Sequence, residues 1–100
     1  MQQTPKNAIL ATLACIPAGK VSSYGDIAKR AGYPGMARYV ALILKQLPEN
    51  SNIPWHRVIN SKGQSSFPPD SAMHALQTRL LKAEAIAFST SGCIPKAYFW

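Results

Sequence analysis

Proline and glycine cut the first half of this chain into helical lengths too short to stand alone in water, so they must pack on one another. Thr4-Pro5 has the form of an N-cap followed by a first-turn proline. Ile9, Leu13 and Ile16 then repeat at helical spacing until Pro17-Ala18-Gly19 stops the run. Ser23-x-x-Asp26 has the form of a capping box opening a second helix, over about Tyr24 to Ala31. Gly32 stands at its C′ position, with Pro34 just beyond. A third helix is predicted from about Gly35 to Leu47, with Met36, Val40, Leu44 and Leu47 as its apolar stripe and Pro48 closing it. Two short helices around Gly32-Tyr33-Pro34 read as a helix-turn-helix, a pattern shared with any packed helical hairpin.

After a polar loop over residues 48–54, Trp55-His56-Arg57-Val58-Ile59-Asn60 crosses the middle of the chain and Ser61-Lys62-Gly63 turns it. Breaker-rich residues 64–69 lead to Asp70, a predicted N-cap, and a fourth helix over about Ser71 to Glu84. Its repeating apolar positions are Met73, Leu76, Leu80 and Ala83. The tail segments Ile86-Ala87-Phe88 and Ala97-Tyr98-Phe99-Trp100 fit either a small hairpin or a packed extended tail. The expectation is one mainly α domain over residues 1–100, of winged-helix-like helix-turn-helix type with minor short β elements and no internal repeat.

Composition narrows the function. At 47% hydrophobic and 15% charged the chain is globular rather than disordered. No apolar run approaches the ~18 residues of a membrane span, so no membrane role is expected. The opening Met1-Gln2-Gln3-Thr4-Pro5-Lys6 leads into no hydrophobic signal segment. Cys15 and Cys93 are the only cysteines, too few for a disulfide framework or a cysteine-rich zinc site. These features point to a reduced, cytoplasmic monomer (nucleoid-associated in a bacterium) with no metal and no cofactor. Eleven Lys and Arg against four Asp and Glu leave +7, a balance that suits a polyanion such as DNA.

Three blocks then stand out: residues 21–28 (Val-Ser-Ser-Tyr-Gly-Asp-Ile-Ala), Ala37-Arg38, and residues 53–59 (Ile-Pro-Trp-His-Arg-Val-Ile). In order and spacing they resemble the DNA-binding domain of O6-alkylguanine-DNA alkyltransferases, over nearly the whole chain. The motif of those enzymes is Pro-Cys-His-Arg, whose cysteine accepts the alkyl group. Here the slot reads Pro54-Trp55-His56-Arg57. An indole offers no thiolate, only a donor N–H. Tryptophan there is the mark of the alkyltransferase-like proteins, which bind alkylated guanine without repairing it and hand it to nucleotide excision repair.

The resemblance implies that the third helix enters DNA through the minor groove. Arg38 would be the finger that replaces an expelled nucleotide, and Tyr24 would crowd the 3′ phosphate and favour its rotation. Ser23, Met36, Ala37 and Lys45 would be further DNA contacts. Trp55, Tyr24, Val58, Ser61 and Phe67 would surround the lesion. His56, Arg57 and Glu84 would form a hydrogen-bonded network that no longer has a thiol to activate, leaving no catalytic residue. Two departures are visible: Leu47 occupies the place of the enzymes' asparagine, and residues 64–69 hold no basic side chain.

The chemistry of the residues supports this. Flipping a base costs a few kcal/mol, less where the pair is damaged. The planar guanidinium of Arg38 can stack in the gap while donating to the orphaned base, a role the resemblance favours over the plain alternative of a surface charge or a phosphate contact. Trp55 offers a π face to a purine that has gained an apolar group, or is a plain core tryptophan. His56 is expected to be structural, His74 solvent-facing, Cys15 buried and Cys93 exposed. Lys20, Lys29, Arg30, Lys45 and Lys62 are candidate phosphate contacts. The partners expected are duplex DNA carrying O6-alkylguanine and nucleotide excision repair proteins, with competition against an active alkyltransferase. The alternatives are a transcriptional or architectural helix-turn-helix on intact DNA, and alkyl transfer to Cys15 or Cys93. Apart from Gln46 near its end, Met36 to Leu47 lacks the Asn, Gln and paired Arg of base-edge readout, which weighs against the first.

Overall fold

A computed structural model describes residues 4–100; Met1-Gln2-Gln3, where the signal-segment reading begins, lies outside the described residues. The architecture is mainly α, with helices α1 (Pro5–Ala14), α2 (Tyr24–Arg30), α3 (Ala37–Lys45) and α4 (Ala72–Ala83) and short strands β1 (Ser22–Ser23) and β2 (Val58–Ile59). Local chemistry sets the helix starts. The Thr4 hydroxyl accepts from Asn7 N–H at 3.2 Å, and that of Ser23 accepts from Asp26 N–H at 3.2 Å. Gly32 ends the α2 region at φ +91°, a left-handed value that costs glycine nothing. At α4 the cap is Ser71, not Asp70: its hydroxyl accepts from His74 N–H at 3.1 Å while donating to the Pro68 carbonyl at 2.8 Å. The helices α1, α3 and α4 are each a little shorter than the apolar periodicity suggests, because single-turn bonds at Cys15, Gln46 and Glu84 finish them.

Two apolar clusters form the core. Ile9, Leu13, Ile16, Ile27, Val40 and Ile43 join α1, α2 and α3, with Val58 among them. Val21, Ile59, Leu81, Ile86 and Ile94 form the second. The strands lie on the seam. Parallel pairing sets Ser22 against Val58 and Ser23 against Ile59, and strand alternation sends Val58 into one cluster and Ile59 into the other.

The tail packs against the body and its two apolar pieces do not pair as a hairpin. A tight turn is closed by Ser89 N–H on the Cys93 carbonyl at 2.8 Å, and after a 3-10 turn at Lys96–Tyr98 the chain bridges Val21 at Phe99. There Val21 N–H donates to Tyr98 O at 2.9 Å and Trp100 N–H to Val21 O at 2.8 Å. Gly63 anchors this return: Ile94 N–H donates to its carbonyl at 2.8 Å. A Cβ on Gly63 would stand 2.7 Å from Ile94 O, at a φ of +82°.

Several apolar positions do not go where periodicity sends them. On α4 the buried residues are Gln77 and Leu81, while Met73 is 42% exposed and Ala83 is exposed. On α3 the core takes Val40 and Ile43, leaving Met36, Leu44 and Leu47 half-buried. Cys15, expected inside, is exposed at the end of α1, because Leu13 and Ile16 take the inward positions beside it. No described helix is long and apolar enough to cross a membrane.

Candidate nucleic-acid interface

The centre of the site is a 3-10 helical turn, Trp55–Arg57, held between α4 and the end of α1. Pro54 opens it, and its carbonyl accepts from Arg57 N–H at 3.1 Å. Arg57 reaches two elements at once. Its Nη1 donates to the Ile16 carbonyl at 2.8 Å, while Nε and Nη2 grip the Glu84 carboxylate at 2.9 and 2.8 Å. Glu84 also accepts from Gly19 N–H at 2.9 Å, and His56 Nε2 lies 2.6 Å from its second oxygen.

Burial pushes the Glu84 carboxyl up, but Arg57, the Gly19 N–H and His56 together outweigh it and hold the group at about 2. An ionised carboxylate only accepts, so His56 must carry its proton on Nε2 and donate. From the other side the buried Gln77 carboxamide donates to the carbonyls of His56 and Val58 at 3.1 and 3.0 Å. Sequence reasoning brought His56, Arg57 and Glu84 together but missed Gln77. The available signal was its i,i+4 spacing to Leu81, which marks the inner face of α4.

So fixed, the turn projects Trp55. Its ring stands edge-on to Phe67, with centroids 6.0 Å apart and planes at 89°, and edge-on to His56 at 6.0 Å. Trp55 and Phe67 wall a cavity of about 630 Å³ together with Tyr24, the apolar ends of Leu44 and Leu47, and Met73 and Leu76 of α4. Met73 and Leu76, the first half of the α4 stripe, thus face a cavity rather than the core. Neither cysteine lines it: Cys15 is on α1, and Cys93 accepts from Gln64 Nε2 at 3.3 Å elsewhere.

Two residues expected at the pocket sit elsewhere. Val58 is 1% exposed within the first core cluster, because its strand alternation turns it inward. Ser61 is exposed on the turn after β2 and does not line the cavity.

On the outer face of α3, Arg38, Leu42 and Lys45 succeed one another at helical spacing, all exposed. Lys45 reaches the cavity mouth. Met36 caps α3 and Ala37 begins it, both half-buried. Ser23 departs from its expected place as a DNA contact: it is 7% exposed, with its hydroxyl occupied in capping α2. Among the candidate phosphate contacts, Arg30 stacks over the Trp100 ring at 3.8 Å and Lys20 donates to the Ala97 carbonyl at 3.2 Å, so both are engaged with the tail. Lys29 and Lys62 are exposed. His74, expected in solvent, is half-buried against a separate cavity of about 490 Å³ between α4 and the tail. No cluster of three or more His, Cys, Asp or Glu that could hold a metal exists among the described residues.

Residues 4–86 match the family described as 6-O-methylguanine DNA methyltransferase, DNA binding domain. A protein of Vibrio parahaemolyticus named DNA base-flipping protein is 48% identical over 93 residues, which cover 92% of this chain and 91% of that one. Alkyltransferase-like protein 1 of Schizosaccharomyces pombe is 45% identical over 71 residues, covering 71% of this chain and 66% of that one. The crystal structure of S. pombe Atl1 with damaged DNA containing O6-carboxymethylguanine superposes with a TM-score of 0.84 at 34% identity, over all of this chain and 98% of the other. The chain therefore belongs to the family of the 6-O-methylguanine DNA methyltransferase DNA-binding domain, where it stands with the base-flipping and alkyltransferase-like proteins.

Proposed function

We propose that this protein is a non-enzymatic sensor of O6-alkylguanine in duplex DNA. In this reading α3 enters the minor groove, Arg38 takes the space of the expelled nucleotide, and Tyr24 turns the 3′ phosphate. The alkylated base rotates into the Trp55 cavity and keeps its alkyl group. An O6-alkyl group removes the guanine N1 proton and weakens pairing, so a protein that flips bases meets less resistance at this lesion. The observation that carries the reading is Trp55 itself. It stands in the Pro-x-His-Arg turn and walls the cavity, while both thiols lie outside that cavity. With no thiolate at the base, the His56–Glu84 pair has nothing to activate and serves to hold the turn. Reversible binding leaves the lesion in place, so removal falls to a later step, and excision of the damaged strand by nucleotide excision repair suits a bound, marked adduct. The same binding would shield lesions from an active alkyltransferase.

The test is equilibrium binding to matched duplexes with guanine or O6-methylguanine at physiological salt, followed by intact-mass measurement of the protein. At least tenfold preference for the lesion and an unchanged protein mass are expected. Equal affinities, or a stoichiometric alkyl adduct on Cys15 or Cys93, would defeat the proposal.

A further inference from the structure

We infer that Leu42 reads the floor of the minor groove beside the lesion and disfavours base pairs that carry the exocyclic amino group of guanine there, a preference that rests on reading α3 as the helix that enters DNA. Leu42 is 46% exposed, and with Met73 it makes up the large hydrophobic side chains left exposed among the described residues. Met73 has the Trp55 cavity to line, whereas Leu42 lines neither that cavity nor the one between α4 and the tail. A lone exposed leucine is ordinary on a protein surface. This one is set apart by its place. It follows Arg38 by four residues and precedes Lys45 by three, so the three side chains share the face of α3 opposite the buried Val40 and Ile43. A surface of one apolar group between two cations fits a groove whose rims are phosphates and whose floor is base edges.

Dimensions place the contact. One helical turn from Arg38 to Leu42 is about 6 Å along the axis, and successive base pairs are about 3.4 Å apart. With Arg38 in the space of the expelled nucleotide, Leu42 meets the floor about two base pairs away. Every pair presents acceptor atoms there, and G·C adds the N2 amino donor of guanine. A leucine side chain covers that donor from water and has no acceptor to offer it. The amino group is then left unpaired, at a cost that A·T and inosine·cytosine pairs escape.

Inosine is guanine without the N2 amino group, with the major-groove edge unchanged, which makes it the probe. The full chain is titrated with duplexes that carry O6-methylguanine or guanine at the centre, flanked on each side by two G·C pairs or two inosine·cytosine pairs. The methylated duplex with inosine flanks is expected to bind about tenfold more tightly than the methylated duplex with guanine flanks. Inosine pairs are also softer, an effect that any variant shares, so Leu42→Gln is measured beside the native chain. A carboxamide at this exposed position leaves the core untouched and can accept from the amino group. Its inosine-to-guanine affinity ratio is expected to fall to within about twofold. A native ratio at or below one, or a ratio that Leu42→Gln leaves unchanged, overturns the inference while the preference for O6-methylguanine over guanine stands. If methylation brings no gain in affinity in either context, the lesion-sensor reading itself fails and the inference falls with it.

Discussion

In the proposed function Arg38 and Trp55 divide the work of flipping: Arg38 would fill the hole in the duplex and Trp55 would receive what left it. Arg38 is exposed near the start of α3. Its fork can stack between neighbouring bases, which a lysine at the same position cannot do. If it acts only as a phosphate contact, its loss weakens all duplexes alike; if it enters the stack, its loss falls on the flipped state. Base stacking is worth about 1–3 kcal/mol by alanine substitution. Arg38→Ala is therefore expected to weaken O6-methylguanine binding by roughly thirtyfold, against about threefold for undamaged DNA. Parallel losses in a fluorescence-anisotropy titration would reduce Arg38 to a surface charge.

The elements depend on one carboxylate. Glu84, at the C-terminal cap of α4, ties that helix to Gly19 beyond α1 and to the Trp55–Arg57 turn. Its carboxyl is held at about 2, below its ordinary value, so the stabilisation is complete above about 4.5 and is lost as pH falls toward 2. Allowing for the solvent that reaches it, the contribution is about 2 kcal/mol. Glu84→Gln is expected to lower Tm by roughly 10 °C at pH 7, and the gap to the native chain should close between pH 4.5 and 2. A gap that stays constant over that range would mean that shape, not charge, holds the turn.

The sequence made the helix starts legible because Thr4, Ser23 and Pro5 act locally. It misplaced Met73 and Leu76, Leu44 and Leu47 because periodicity reports which face is apolar, not whether that face meets a core or a cavity. Gln77 was missed for the converse reason: despite its spacing to Leu81, a polar side chain reads as surface until the carbonyls it satisfies, those of His56 and Val58, are brought to it by residues far away in the chain. The network of His56, Arg57 and Glu84 was legible only through the family motif, since 27 residues separate Arg57 from Glu84.

For the molecule as a whole, charge and selectivity are built in different places. Its +7 lies on an exterior with few acids, because Glu84 is spent inside against Arg57. That field acts on phosphates and takes no account of which base is damaged. The cavity that would recognise the adduct has mostly apolar walls, with one cation, Lys45, and one anion, Glu49, among its lining. Affinity and discrimination should therefore respond differently to salt. Neutralising about four phosphates would cost about a hundredfold in affinity between 50 and 200 mM salt, for damaged and undamaged duplexes alike. Their ratio is expected to stay within about threefold over the same range, because apolar contact and stacking are not screened by ions. Anisotropy titrations of both duplexes across that series decide the matter. A ratio that collapses as salt rises would place the discrimination in the basic surface and take it away from the Trp55 cavity.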